Sequence, residues 1–233
     1  MKGFRHEIKL LLEYPDYCAL RTRLRAATEP DPNAGSDGDY FIRSLYFDDL
    51  SRSSYFEKLA GVPDRKKYRL RIYGLSDSVI KLECKEKRGV LIRKRSLNTD
   101  RAAAERLISG DFSPLLDTDD PLAKEILALH SGKGLKPSVV VDYDREAYVY
   151  PVSNVRLTFD KALHAGLSDP GIFDPGLLTV PVFGGERVIF EVKYDDVLPK
   201  HLQLLIADSH GARLALSKFT LCKDTLSRFK PAY

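Results

Sequence analysis

An α+β fold built on an antiparallel sheet is predicted for this 233-residue chain, from three observations. About eight segments read as strands, by alternation of polar and apolar residues or by β-branched and aromatic content. Helical patterns fall between some of these strands without the regular strand–helix alternation of a parallel sheet. No internal repeat or linker divides the chain, so one domain over residues 1–233 is expected.

Taken in order, residues 5–11 form the first strand, with Arg5, Glu7 and Lys9 on one face and mainly apolar residues on the other. Residues 14–27 place Tyr17, Leu20 and Leu24 at helical spacing. Residues 29–39, rich in Pro, Asp, Asn, Gly and Ser, read as a loop. A strand over 40–47 is followed by a short helix over 51–59 and a turn at Gly61-Val62-Pro63-Asp64. A meander of three strands, 68–73, 80–87 and 90–97, then forms the centre of the molecule. Asn98 or Thr99 can cap a helix reaching Ser109, and Pro121 can start another over 121–128; both are expected to pack outside the sheet. Strands return over 139–150 and 155–161. A turn-rich loop over 163–179 could act as a lid, and the last clear strand is 188–194. A helix over 199–208 and the segment 214–219 complete the pattern.

Hydrophobic residues make up 43% of the chain, enough for an ordinary core. Charged residues reach 30% while the net charge is only +4, which points to a local basic site rather than a uniformly cationic surface. Cys18, Cys84 and Cys222 are far apart and lack metal-ligand spacing. They read as reduced thiols, with a cytoplasmic location as the expectation. No stretch has the length and apolarity of a signal peptide or a membrane span.

The polar faces are the unusual feature. Arg69 and Arg71 share one face of their strand, Lys81, Glu83 and Lys85 one face of the next, and Arg93 and Arg95 one face of the third. Arg5, Lys9, Arg145, Arg156, Glu191 and Lys193 extend the set along other strands. Singly, each residue reads best as solvated or ion-paired. Together they describe either an open basic face or the inside of a barrel suited to phosphates. Glu83 and Glu191, interspersed among the cations, are the carboxylates a divalent ion would use while sitting among phosphate oxygens. Other chemistries fare worse: no phosphate-binding Gly-rich loop is present, and Gly184-Gly185 reads as a hairpin turn. The histidines lack metal spacing, and Ser217 has no visible His or carboxylate partner to activate it.

In order along the chain, Ser44-Leu45-Tyr46-Phe47-Asp48-Asp49, Tyr68-Arg69-Leu70-Arg71-Ile72-Tyr73-Gly74, Leu82-Glu83-Cys84-Lys85, Tyr143-Asp144-Arg145, Val155-Arg156-Leu157, Phe190-Glu191-Val192-Lys193 and Ser217-Lys218-Phe219 resemble successive motifs of the VTC domain. That domain is the catalytic part of a eukaryotic polyphosphate polymerase and its bacterial relatives, within the triphosphate tunnel metalloenzymes. The resemblance implies a closed antiparallel β-barrel, or tunnel, with helices packed outside and a basic interior. It implies transfer of the terminal phosphoryl group of ATP, or another nucleoside triphosphate, to polyphosphate, with Mn or Mg as the divalent metal. Orthophosphate or pyrophosphate would be possible primers, and no nucleic acid partner is expected.

By position, the resemblance makes Lys9, Arg69, Arg71, Lys85, Arg93, Arg145 and Arg156 the catalytic phosphate clamps. It also makes Ser217 with Lys218 a phosphate-contacting pair and Glu191 the metal-binding glutamate, while the polar strand faces by themselves add Arg5, Lys81, Arg95 and Lys193 as phosphate candidates and Glu83 as a second metal carboxylate. On the third strand Lys94 is the alternative to Arg93. Ala215 stands where the eukaryotic pattern has a lysine, which removes one cation. A triphosphatase or polyphosphatase on the same scaffold, and a non-catalytic polyanion-binding module, are the alternatives. The first strand has Glu7-Ile8-Lys9 without a complete Glu-x-Glu-x-Lys, which tilts against the triphosphatase branch.

Overall fold

Alternation in the strands dictates a sheet with two unlike faces, and closure of that sheet decides which face is enclosed. The computed structural model describes residues 3–35, 38–166 and 171–229. Its first half contains β1 (Arg5–Glu13), α1 (Tyr14–Ala27), β2 (Glu29–Pro30), β3 (Asp39–Asp48), α2 (Ser53–Leu59), β4 (Arg65–Tyr73), β5 (Ser76–Arg88), β6 (Leu91–Thr99) and α3 (Arg101–Ile108). The second half contains α4 (Pro121–Lys133), β7 (Lys136–Tyr150), β8 (Val155–Gly166), β9 (Thr179–Pro181), β10 (Arg187–Tyr194), α5 (Lys200–Ala207), β11 (Ala212–Arg213) and α6 (Lys218–Ser227).

Eight strands close in the order β7-β3-β4-β5-β6-β1-β10-β8, and pairing of β7 with β8 completes the ring. The antiparallel barrel and the α+β class are those predicted. The short strands β2, β9 and β11 are additions that alternation could not reveal. At the β6–β1 seam the paired positions are Arg5 with Ile92 and His6 with Leu91, while β11 pairs with β1 farther along, at Leu10 and Leu11.

The outward face is the apolar one around most of the ring. Leu70, Ile72, Leu82 and Cys84 pack with Leu107 of α3 and Ile126 of α4. Leu12, Leu157 and Phe190 pack with Leu20 and Leu24 of α1 and Leu202 of α5. Each such fully buried side chain is worth about 1.5–3 kcal/mol of transfer free energy.

One helix departs from the expected outer position. Ser217 caps α6, accepting from the Thr220 amide at 3.3 Å, and Phe219 and Cys222 are buried against Tyr46, Val139, Val141, Tyr143 and Ile189. Tyr46 is opposite Arg69 and Val139, and Tyr143 lines the barrel cavity, so this cluster lies inside the barrel. Helices α1, α3, α4 and α5 pack outside as expected, while the inward face has an apolar sector that α6 fills. A helix enclosed in this way shows little amphipathic periodicity, which is why 214–219 gave no helical signal.

Smaller differences have local causes. Asp100, not Asn98 or Thr99, caps α3 by accepting from the Ala103 amide at 2.8 Å, leaving residues 98 and 99 free to end β6. α4 continues to Lys133 and stops where Gly134 takes a left-handed conformation, φ 63°. Residues 163–166 and 179 belong to strands, while 167–170 lie outside the described residues. Between them Ile172 and Leu177 join the outer core, and Arg43 donates to the Asp174 carbonyl at 2.5 Å. The described part of the expected lid lines no part of the barrel cavity.

Candidate functional site

The inward face encloses a cavity of about 260 Å³. Strand register sets its wall in rows: Arg65 opposite Lys87, Lys67 opposite Lys85, Arg69 opposite Glu83, Arg71 opposite Lys81. On the other side Lys9 is opposite Glu191, Glu7 opposite Lys193, and Lys193 opposite Arg156.

Of the residues singled out from sequence, Lys9, Arg69, Arg71, Lys85, Arg145 and Arg156 line this cavity. So do Arg5, Lys193, Glu191, Ser217 and Lys218. The third strand is different, because the register of β6 places Lys94 opposite Lys85 and therefore inward. Arg93 and Arg95, opposite Glu86 and Cys84, take the other face. Arg95 donates to Glu125 of α4 at 2.9 Å, outside the barrel, so the structure does not bring it to the cavity. Arg93 reaches the cavity edge while bound to Glu86 at 2.6 Å and stacked 4.8 Å from the Phe4 ring centroid. Lys81, although its strand position is inward, is not among the lining residues.

Glu83 also needs correction as a metal carboxylate. It is fully buried, with Oε2 held by Arg69 Nη2 at 2.6 Å and Oε1 by Lys94 at 3.0 Å, while Arg71 stands 3.8 Å away. Its geometry anchors cations rather than facing the cavity. Glu7, which the sequence places on the polar face without a role, lines the cavity, and so do Lys58, Arg65, Lys67 and Lys87, which strand alternation did not single out. Arg65 and Lys67 continue the alternation of Arg69 and Arg71, because the strand begins at Arg65 rather than at residue 68.

Glu191 is the hub of the carboxylate-bearing part. Lys9, Lys193 and Lys218 each reach it at 2.9 Å, and Arg145 approaches at 3.8 Å. Burial opposes its charge, yet Lys193, Lys218 and Lys9 hold the carboxyl well below the usual range. Arg145 forks onto Asp160 at 2.6 and 2.8 Å, and Lys218 also pairs with Asp160. Glu7 is bound by Lys85 at 2.7 Å; against the effect of burial, Lys85 and Lys9 lower its pKa to about 2.

The lysines respond unequally. Burial pushes Lys85 down to about 8, with Glu7 offsetting part of the shift. Burial, reinforced by Lys85, Lys9 and Arg65, pushes Lys67 well below its ordinary value. Lys67 donates to Ser217 at 2.6 Å and lies 4.8 Å from the centroid of the Phe219 ring. Lys9 is shifted upward, its burial outweighed by Glu191 and Glu7. This field is suited to an oligoanion with several closely spaced charges.

Among the described residues, no group of three or more His, Cys, Asp or Glu side chains could hold a metal ion by itself. The donor set fits a divalent ion arriving with phosphate: Glu191 would supply a carboxylate, and phosphate oxygens and water the remaining positions. No described helix is long and apolar enough to cross a membrane.

A protein-family model described as the VTC domain matches residues 4–226. No curated protein matches the chain. Among solved structures, a candidate adenylyl cyclase of Hippeastrum, HpAC1, reported to have a dominant triphosphatase activity, is similar at 15% identity and TM-score 0.59, covering 95% of this chain and 96% of its own. A candidate adenylate cyclase of Bacillus halodurans is similar at 14% identity and TM-score 0.55, over 92% and 95% of the two chains. The PH1819 protein of Pyrococcus horikoshii gives 12% identity and TM-score 0.50, over 95% and 99%. At these identities the likeness establishes the fold.

Proposed function

This chain belongs to the VTC-domain family and has the triphosphate-tunnel fold, and on that premise we propose that it is a metal-dependent polyphosphate polymerase using ATP or another nucleoside triphosphate. The observation that carries the proposal is the inward-facing set of Lys and Arg around two cavity-facing carboxylates, Glu7 and Glu191. In the proposed reaction a terminal oxygen of the acceptor chain attacks the γ-phosphorus. The bond from that phosphorus to the β,γ-bridging oxygen breaks, and the nucleoside diphosphate leaves.

Phosphoryl transfer of this kind needs alignment and charge neutralisation rather than a covalent nucleophile. Arg69, fixed by Glu83, Arg71, donating to Ser44 and Tyr143, and Arg145, fixed by Asp160, present rigid forks to phosphate oxygens. Lys9, Lys85 and Lys218 add point charges. A Mn or Mg ion held at Glu191 would neutralise charge on the transferring phosphate. Acceptors are polyphosphate itself, or orthophosphate or pyrophosphate as primer.

Hydrolysis of triphosphate or polyphosphate is the second reading, because water can replace the acceptor at the same clamps; the activity reported for the Hippeastrum protein belongs to this class. Position 5 tilts against it: Arg5, paired with Asp195 at 2.7 Å, stands where a complete Glu-x-Glu-x-Lys strand would have its first glutamate. A non-catalytic polyanion-binding module is the third reading. Incubation of the purified protein with ATP and manganese is expected to yield long acid-insoluble polymer. Orthophosphate without polymer would overturn the polymerase in favour of a hydrolase, and neither product would favour the binding module.

A further inference from the structure

Two cavity arginines have their anchoring carboxylate directly opposite in strand register: Glu83 for Arg69 and Asp160 for Arg145. Arg156 has no such neighbour. The residues opposite it are Lys193 on β10 and Val149 on β7, so the barrel wall supplies no carboxylate there. Its partner comes from the loop between β2 and β3, where Asp31 Oδ2 accepts from Arg156 Nη2 at 2.5 Å. The Tyr40 hydroxyl accepts from the same nitrogen at 2.8 Å. Arg156 Nε stays buried and without an acceptor among the described residues, while the side chain lines the cavity. Asp31 and Tyr40 hold one nitrogen of the guanidinium, and the rest of its donor capacity is unspent.

Asp31 is built in rather than resting on the surface. Its amide donates to the Ala147 carbonyl of β7 at 2.9 Å, and its Oδ1 accepts from the Asn33 amide and Nδ2 at 2.9 and 2.8 Å. The residue is buried, and against the effect of burial Asn33 and Arg156 hold its carboxyl below the ordinary value. A buried carboxylate with both oxygens engaged has one orientation to offer. We propose that Asp31 is a positioning residue for Arg156, fixing its guanidinium, together with Tyr40, so that the remaining N–H groups meet phosphate oxygens of the substrate. The inference rests on the phosphoryl transfer proposed above and adds a determinant that does not itself line the cavity. Loss of the carboxylate leaves the attraction of Arg156 for an anion in place and removes its alignment, which counts in the transition state.

The test pairs steady-state kinetics on ATP and manganese with the NMR signal of the Arg156 Nε–H group, assigned by its loss in R156K, on the intact protein. In D31N, kcat is expected to fall about tenfold while KM changes less than about threefold, and the Arg156 signal to broaden or move. N33A loosens Asp31 from an exposed position without changing charge, and should show the same pattern at about threefold. In the R156K background D31N should change kcat less than about twofold, because the fork it positions is already gone. An equal loss in both backgrounds would mean that Asp31 acts on the fold alone and would overturn the assignment. So would an unchanged Arg156 signal in D31N, or a raised KM with kcat unchanged. A wild-type protein that turns over no ATP would instead overturn the reaction on which the inference rests. Tripolyphosphate then decides the positioning separately: it should move the Arg156 signal in the wild type and not in D31N, and a signal it leaves in place in the wild type would contradict the role of Asp31.

Discussion

Replacing Glu191 with Gln is expected to reduce metal-dependent turnover at least 100-fold and to destabilise the ligand-free protein by about 3 kcal/mol. The two effects share a cause. Glu191 is almost fully buried and receives Lys9, Lys193 and Lys218 at 2.9 Å, so neutralising it strands three cations in an enclosed space. Removing one partner of a buried pair costs about 3–5 kcal/mol, and the lower end applies here because water reaches the cavity. Turnover falls because the cavity loses the carboxylate proposed to hold the divalent ion. Saturating tripolyphosphate should restore much of the stability by supplying the missing negative charge, while turnover stays low. Denaturant unfolding with and without the ligand, beside an activity assay, separates the two. Wild-type turnover in E191Q would remove Glu191 from the reaction.

The second large effect is on pH. Lys85 has its folded-state pKa lowered from 10.5 to about 8, and Lys67 is shifted in the same direction. Below pH 8 Lys85 is protonated both folded and unfolded, and the cost of its buried charge is fully present. Between about 8 and 10.5 the folded protein releases that proton while the unfolded chain keeps it. The unfolded state then binds more protons, so this group's contribution makes stability rise with pH, by on the order of 1–3 kcal/mol. Lys9 and Lys218, shifted upward by their carboxylates, contribute in the opposite sense only above 10.5. Glu7, lowered from 4.5 to about 2, contributes stability that is lost on acidification through that range.

Tripolyphosphate reverses the lysine contribution, because the bound anion favours the charged amine. Affinity should therefore decline as pH rises above 8, with net proton uptake on binding near pH 8.5. Calorimetry in two buffers of different ionisation enthalpy measures that uptake. Proton release, or a stability that falls steadily from pH 8 to 10, would show that Lys85 and Lys67 are not held in this state.

Strand alternation made much of this arrangement legible. It placed Lys9, Arg69, Lys85, Arg145 and Glu191 on polar faces, and ring closure in the structure turns those faces inward. It could not settle the register of β6, where Arg93-Lys94-Arg95 offers a cation at every position. Only pairing with β5 shows that Lys94 faces Lys85 while Arg95 turns outward to Glu125. Nor could it separate a carboxylate facing the cavity from one locked beneath arginines. Glu7 and Glu83 look alike on their strands, yet Glu83 is consumed by Arg69, Arg71 and Lys94. The burial of α6 was invisible for a different reason, because a helix surrounded by barrel wall needs no polar stripe. Lys58 reaches the cavity from a helix, and no strand pattern predicts that.

The basic face lines an enclosed cavity, and its cations together should act as one site for a triphosphate-like anion. Calorimetric titration of the metal-free protein with tripolyphosphate, at pH 7 and near-physiological salt, tests it most directly. One ligand per chain is expected, with an affinity at least 100-fold above that for sulfate and a loss of at least tenfold in R69A. Several weak equivalents that salt removes together, or an R69A profile identical to wild type, would mean that these cations do not form one enclosed site.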